Sequence, residues 1–142
     1  MDITDLEIEN ARAHYNPEDQ IVYITYQGAL DGSVTIKVYD WLDQLYQLVG
    51  LEAIYGEIFD FRKVDHFDQS NLVTARRTSN RMNMSKDTSQ FPVALIVGSH
   101  DQEEILRGPM RIPEGHQRKR IVWSQDEGLE FIHDWNRSKQ RD

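Results

Sequence analysis

Residues 60–71 concentrate the side chains of this protein that could do chemistry: Asp60, Asp65, His66, Asp68, Ser70 and Asn71. Asp65, His66 and Asp68 put two carboxylates and an imidazole close together, a set able to ligate a divalent cation or to exchange protons near neutral pH. A metal centre needs three or four converging donors held by further hydrogen bonds, and only His100, in the stretch Gly98-Ser99-His100-Asp101, is an obvious further ligand. Short spacing in one polar segment describes a solvated loop equally well. The sequence therefore assigns no catalytic residue, no metal ligand set and no cofactor. It points instead to a place, the loop 63–69 and the neighbouring segment 98–101, where a partner or ligand would meet the protein.

Two further groupings invite a chemical reading. Arg107, Arg111, Arg118, Lys119 and Arg120, with His116, make residues 107–120 basic in an acidic chain. Guanidinium groups bind carboxylates and phosphates bidentately, so Arg107, Arg111 and Arg76 are candidate anion contacts. The same charges also solvate a loop and guard an edge strand against aggregation. No aromatic-interleaved basic strand accompanies them, and no nucleic-acid partner is expected. Trp41, Tyr46, Trp123, Phe131 and Trp135 could line a pocket for an apolar ligand under a lid formed by residues 107–117, or could be core residues at helical spacing. A Gly-rich phosphate loop, a zinc-protease helix motif, a nucleophile elbow and paired Cys are all missing from the sequence.

These residues stand on a chain of 142 residues with 39% apolar and 28% charged side chains, which fits one domain, 1–142, with a core of its own. A net charge of −8 repels nucleic acid and anionic lipid at long range, and no apolar run approaches the roughly 20 residues that span a bilayer. There is no Cys, hence no disulfide frame and no thiolate. With an acidic N-terminus in place of a basic, then apolar, leader, a cytoplasmic protein without stable membrane insertion is expected, as monomer or homodimer.

The elements that must position the polar segments follow from periodicity. Residues 6–15 and the run Ile21-Val22-Tyr23-Ile24-Thr25-Tyr26, separated by Asn16-Pro17-Glu18-Asp19, predict an antiparallel hairpin. Asp31 and Ser33 offer capping side chains to an amphipathic helix carrying Val34, Val38, Trp41, Leu42, Leu45, Leu48 and Val49 and closed by Gly50. Ile54, Ile58, Phe59 and Phe61 predict a buried strand with Asp60 near its end, followed by the loop 63–69 and a second helix over 69–84. Phe91-Pro92-Val93-Ala94-Leu95-Ile96-Val97 reads as an interior parallel strand. Ser99 with Gln102 has capping-box spacing before a short helix, residues 119–123 form a last strand, and Ser124 with Glu127 opens a last helix. The tail from Asn136 should fray. The expectation is an α/β fold with a mixed five-stranded sheet, antiparallel at its start and parallel after it, with about four helices.

With this order in place, the chain resembles a STAS domain, the fold of bacterial anti-sigma-factor antagonists, and more closely the SpoIIAA-like family of small bacterial proteins. The resemblance spans nearly the whole chain as element order and is carried by FDFRKVDHFDQSNL (59–72), VALIVGS (93–99) and KRIVWSQDEGLEFIHDW (119–135). In the antagonists an Asp-containing strand leads to Asp-Ser-Ser-Gly-Leu at a helix start. Here Asp60 matches the strand Asp, and Asp68, Ser70 and Leu72 match the second motif, while Gln69 and Asn71 depart from it. The resemblance implies a non-catalytic regulatory domain that binds a protein partner, with Ser70 as the residue a partner kinase would phosphorylate. A phosphate there would sit at a helix N-terminus, where free N–H groups and the helix dipole favour it. The alternative for Ser70 is a first-turn or capping serine with Asp68 as the cap. The family's broad likeness to CRAL-TRIO lipid carriers implies the alternative function, a carrier or sensor of a small amphiphilic ligand.

Overall fold

The computed structural model describes residues 3–68, 73, 74, 77, 90–107 and 118–141. Six strands form one sheet in which spatial order is chain order: β1 (Leu6–Ile8), β2 (Ala11–Asn16), β3 (Ile21–Leu30), β4 (Gly56–Phe67), β5 (Val93–Ile96) and β6 (Lys119–Val122). β1, β2 and β3 pair antiparallel, and β3 through β6 pair parallel. The fold is the expected mixed α/β sheet with six strands in place of five. The extra strand arises because residues 6–15 turn at Glu9 and Asn10, bringing Ile8 opposite Ala11. That turn is pinned from outside itself: Asn10 Nδ2 donates to Gln27 O at 3.0 Å and Gln27 Nε2 donates to Glu9 O at 2.8 Å.

Helix α1 (Gly32–Val49) forms where the apolar positions recur every three or four residues. Asp31 caps it by accepting from Ser33 N and Val34 N, and Gly50, at φ 83°, closes it in a backbone region that glycine enters without steric cost. Its buried side chains Val34, Val38, Trp41, Leu42 and Leu45 pack on one face of the sheet against Ile24, Tyr26, Phe59 and Leu95. Each such side chain, fully buried, contributes roughly 1.5–3 kcal/mol. Helix α2 (His100–Arg107), between the parallel strands β5 and β6, adds Leu106 to the same cluster. Helix α3 (Gln125–Arg141) covers the opposite face with Phe131 and Ile132 over Ile21, Ile58, Ala94, Ile96 and Val122. Ser124 Oγ accepts from Glu127 N at 3.1 Å at its start. The helix runs on through the residues expected to fray, and Asn136 Nδ2 donates to Tyr55 O and Ile132 O. Within the expected helix over 69–84, Val73, Thr74 and Arg77 are helical. Among the described residues no helix is long and apolar enough to cross a membrane.

The second departure concerns the expected loop 63–69. Residues 63–67 are strand: β4 continues past the end of β5, which stops opposite Asp60, and pairs on with β3 as far as Leu30 and Phe67. The run Lys63-Val64-Asp65-His66-Phe67 looks polar because only Val64 is buried there.

Candidate interaction surface

The carboxyl ends of β5 and β6 lie level with Asp60 of β4, and the side chains there are held by more than their own strands. β4 carries an extra residue between the pairs Thr25–Asp60 and Gln27–Lys63, and a second between Gly28–Val64 and Ala29–His66. Such bulges turn side chains out of the regular alternation. The first delivers Arg62 back onto Asp60: Arg62 Nε and Nη2 donate to the carboxylate at 3.0 and 2.8 Å, and Arg62 N donates at 3.0 Å. Burial alone would raise the Asp60 pKa. The hydrogen bonds from Arg62 and the charges of Arg62 and Lys63 outweigh it and hold the carboxyl below its ordinary value.

Past the end of β5 the carbonyls of β4 that would face a neighbouring strand need another partner, and Gln102 supplies it. From the first turn of α2 its buried amide donates to Phe61 O and to Val64 O, both at 2.9 Å, while its carbonyl accepts from Gly98 N at 2.7 Å. Ser99 Oγ accepts from Gln102 N at 3.2 Å, so the expected cap is present. The glutamine side chain, however, reaches across to β4 in addition to closing its own helix start. Gly98 lies so near Arg62 that a Cβ on it would stand 3.4 Å from Arg62 Cγ. The exit of β5 and the bulge of β4 are thus one packed unit. Beside it, the ring of His100 meets Trp123 edge-on with centroids 5.3 Å apart, and Trp123 remains 38% exposed.

The residues singled out in the sequence separate into three groups. Asp60, Ser99 and His100 come together at this end of the sheet. Asp65 and His66 are exposed on the extension of β4, not on a loop, and Asp68 N donates to Leu30 O at 2.9 Å just beyond it. Ser70, Asn71, Arg76, Arg111 and all but the first residue of the proposed lid 107–117 lie outside the described residues. Arg107 is directed to Glu103 of its own helix, at 3.3 Å, and His100 Nδ1 lies 3.6 Å from the same carboxyl group. Among the described residues no group of three or more Asp, Glu or His side chains could hold a metal ion. The five aromatic residues considered as a pocket lining do not converge. Trp41 and Tyr46 lie on the α1 face, Phe131 and Trp135 on the α3 face, and Trp123 at the exposed end of β6. Trp41 Nε1 donates to Thr4 O at 2.9 Å, tying the N-terminal residues to α1.

Sequence reasoning did not place Arg62 or Glu57 among the candidate site residues. Arg62 could have been read from Asp-x-Arg at a strand end, but only the bulge brings the two side chains together. Glu57 is 3% exposed on the α1 face, with the Tyr46 hydroxyl donating to its Oε2. Burial pushes its pKa up to about 7, against the opposing influence of the Tyr46 hydrogen bond and of Arg118 and Lys119. Its only sequence signal is an acid inside an apolar run.

No family model matches the chain, and no curated protein matches it by sequence. Solved structures do match its shape. An uncharacterized protein of the DUF3478 family with a SpoIIAA-like fold, from Shewanella loihica PV-4, superposes with a TM-score of 0.58 at 12% identity, covering 91% of this chain and 98% of its own. The anti-sigma factor antagonist SpoIIAA in its unphosphorylated form superposes with a TM-score of 0.51 at 11% identity, covering 81% of this chain and 91% of its own.

Proposed function

We propose that this chain, which has a SpoIIAA-like fold, is a non-catalytic interaction domain that binds a protein partner through the carboxyl ends of β5 and β6 and the Asp60–Arg62 bulge of β4 level with them. The observation that carries this function is Trp123, a large aromatic side chain 38% exposed at the end of β6 and flanked by His100. Beside it at the same end of the sheet stands Arg62, fixed by Asp60. Exposed Trp and Arg on a rigid support are the residue types that most often dominate protein interfaces, because they bury large areas with few freely rotating bonds to order. One solved protein of this fold is an anti-sigma factor antagonist, which makes a protein the first class of partner to test. Ser70, matched in sequence to the phosphorylated serine of the antagonists, is the candidate switch.

Affinity capture with the wild-type chain, followed by titration of the captured protein, tests the surface. Trp123→Ala should weaken binding at least tenfold, and Arg62→Ala several-fold, with circular dichroism unchanged. Ser70→Asp should weaken it further if the serine is a switch. A partner that binds wild type and Trp123→Ala equally would overturn the surface, and one indifferent to Ser70→Asp would remove the switch alone.

A further inference from the structure

We propose that Glu57 makes the seating of edge strand β6, and with it the presentation of Trp123, dependent on pH. Glu57, Val93 and Lys119 stand in register across β4, β5 and β6, so Lys119 projects on the same face of the sheet as the buried carboxyl. Among the described residues the titratable and charged groups around Glu57 are Tyr46 from α1, Tyr26 from β3, and Arg118 and Lys119 at the start of β6, with Tyr39 of α1 acting on Tyr26 and Tyr46 in turn. Phe91 and Val93, leading into and starting β5, contribute no titratable group. Arg118 Nε donates to Phe91 O at 2.9 Å with its guanidinium 5.3 Å from the centre of the Phe91 ring, and that ring lies 6.0 Å from Tyr46. Arg118, Phe91 and Tyr46 therefore form one side of the chamber that holds the carboxyl.

An ionised Glu57 is better accommodated in water than in this chamber, since burial outweighs its attraction to Arg118 and Lys119. Opening is consequently favoured by ionisation, and the element with least to hold it yields. α1 is fixed by a continuous apolar face and β4 lies between two strands, whereas β6 has four residues and, among the described residues, pairs with β5 alone. Its far end carries Val122, opposite Ile96, and then Trp123. Loosening at Lys119 is thus transmitted along four residues to the exposed indole. By linkage, the opening equilibrium rises by at most tenfold per pH unit between about 4.5 and about 7 and levels off above.

The regulatory meaning rests on Trp123 being part of the partner surface, but the coupling itself is measured without a partner. Nitrogen-15 NMR of the whole chain would follow the Trp123 indole N–H from pH 4 to 9, beside the carboxyl carbon of Glu57. The expected result is a Trp123 transition sharing the Glu57 midpoint, lost in Glu57→Gln and retained in His100→Gln. Tyr46→Phe removes a hydrogen bond that favours ionisation, so it should move both midpoints upward together. A Trp123 transition that is missing in the wild type, persists in Glu57→Gln, disappears in His100→Gln, or stays in place in Tyr46→Phe would overturn the coupling. Loss of partner binding in Trp123→Ala at fixed pH is a separate outcome and bears only on the surface.

Discussion

The Glu57 carboxyl lies under α1 with the Tyr46 hydroxyl as hydrogen-bond donor, and its folded pKa of about 7 exceeds the ordinary value of 4.5. Folding therefore favours its protonated form. This residue's stabilising contribution is fully present below about pH 4.5, declines as pH rises, and is lost above about pH 7, a change of roughly 3 kcal/mol at most. Urea unfolding of wild type and Glu57→Gln at pH 5 and pH 7.5 should give a difference between the two proteins that changes in this direction. A difference independent of pH would refute it. Asp60 titrates with the opposite sign, because Arg62 keeps its carboxylate favoured in the folded state. Gln102 offers a second test: Gln102→Ala deprives Phe61 O, Val64 O and Gly98 N of their partner and should cost about 2–3 kcal/mol. Gln102→Glu should be no better, since a carboxylate cannot donate to two carbonyls; urea midpoints equal to wild type would count against the clamp. Neither role could be read from residue type. The placement of Asp60, Ser99 and His100 at strand exits was legible because polar residues gather there, whereas the contacts of Glu57, Arg62 and Gln102 depend on which element lies opposite them.

Among the elements, those with a strong period were legible and those set by partners were not. α1 follows its sequence signals from the Asp31 cap to Gly50, and β5 follows its apolar run. The β1–β2 turn lacks the glycine that marks a tight hairpin and is stabilised instead by Gln27, a residue far along the chain. The extension of β4 leaves little trace in the sequence for a related reason: once β5 ends, both faces of a two-stranded segment tolerate charge, and alternation fades. How α3 docks on the sheet depends on a missing side chain. A Cβ at Gly56 would lie 2.7 to 2.9 Å from three carbons of Ile132, which is fully buried. Gly56→Ala should therefore push α3 away from β4 and cost about 1–3 kcal/mol. Thermal unfolding would show this, and Ile132→Ala introduced with it should recover part of the loss beyond what additivity allows.

For the molecule as a whole, sheet order equals chain order, and three of the five strand neighbours are parallel pairs. The mixed α/β class was legible from alternating element types, while the sixth strand depended on one unmarked turn. The two faces are finished unequally: α1 and α2 lie on one, and α3 covers the other. On a ribosome, where the chain emerges from its N-terminus, each new strand would find its upstream neighbour already made. Among the described elements the second face is covered by α3 alone, which follows all six strands in the chain. Until then Ile21, Ile58, Ala94, Ile96 and Val122 form a naked apolar strip. A polypeptide halted after Ser124 should bind a hydrophobic dye and self-associate, and supplying residues 125–142 as a separate peptide should quench the dye. Helix α3, which follows all six strands, would thus act as a built-in chaperone for the sheet made before it.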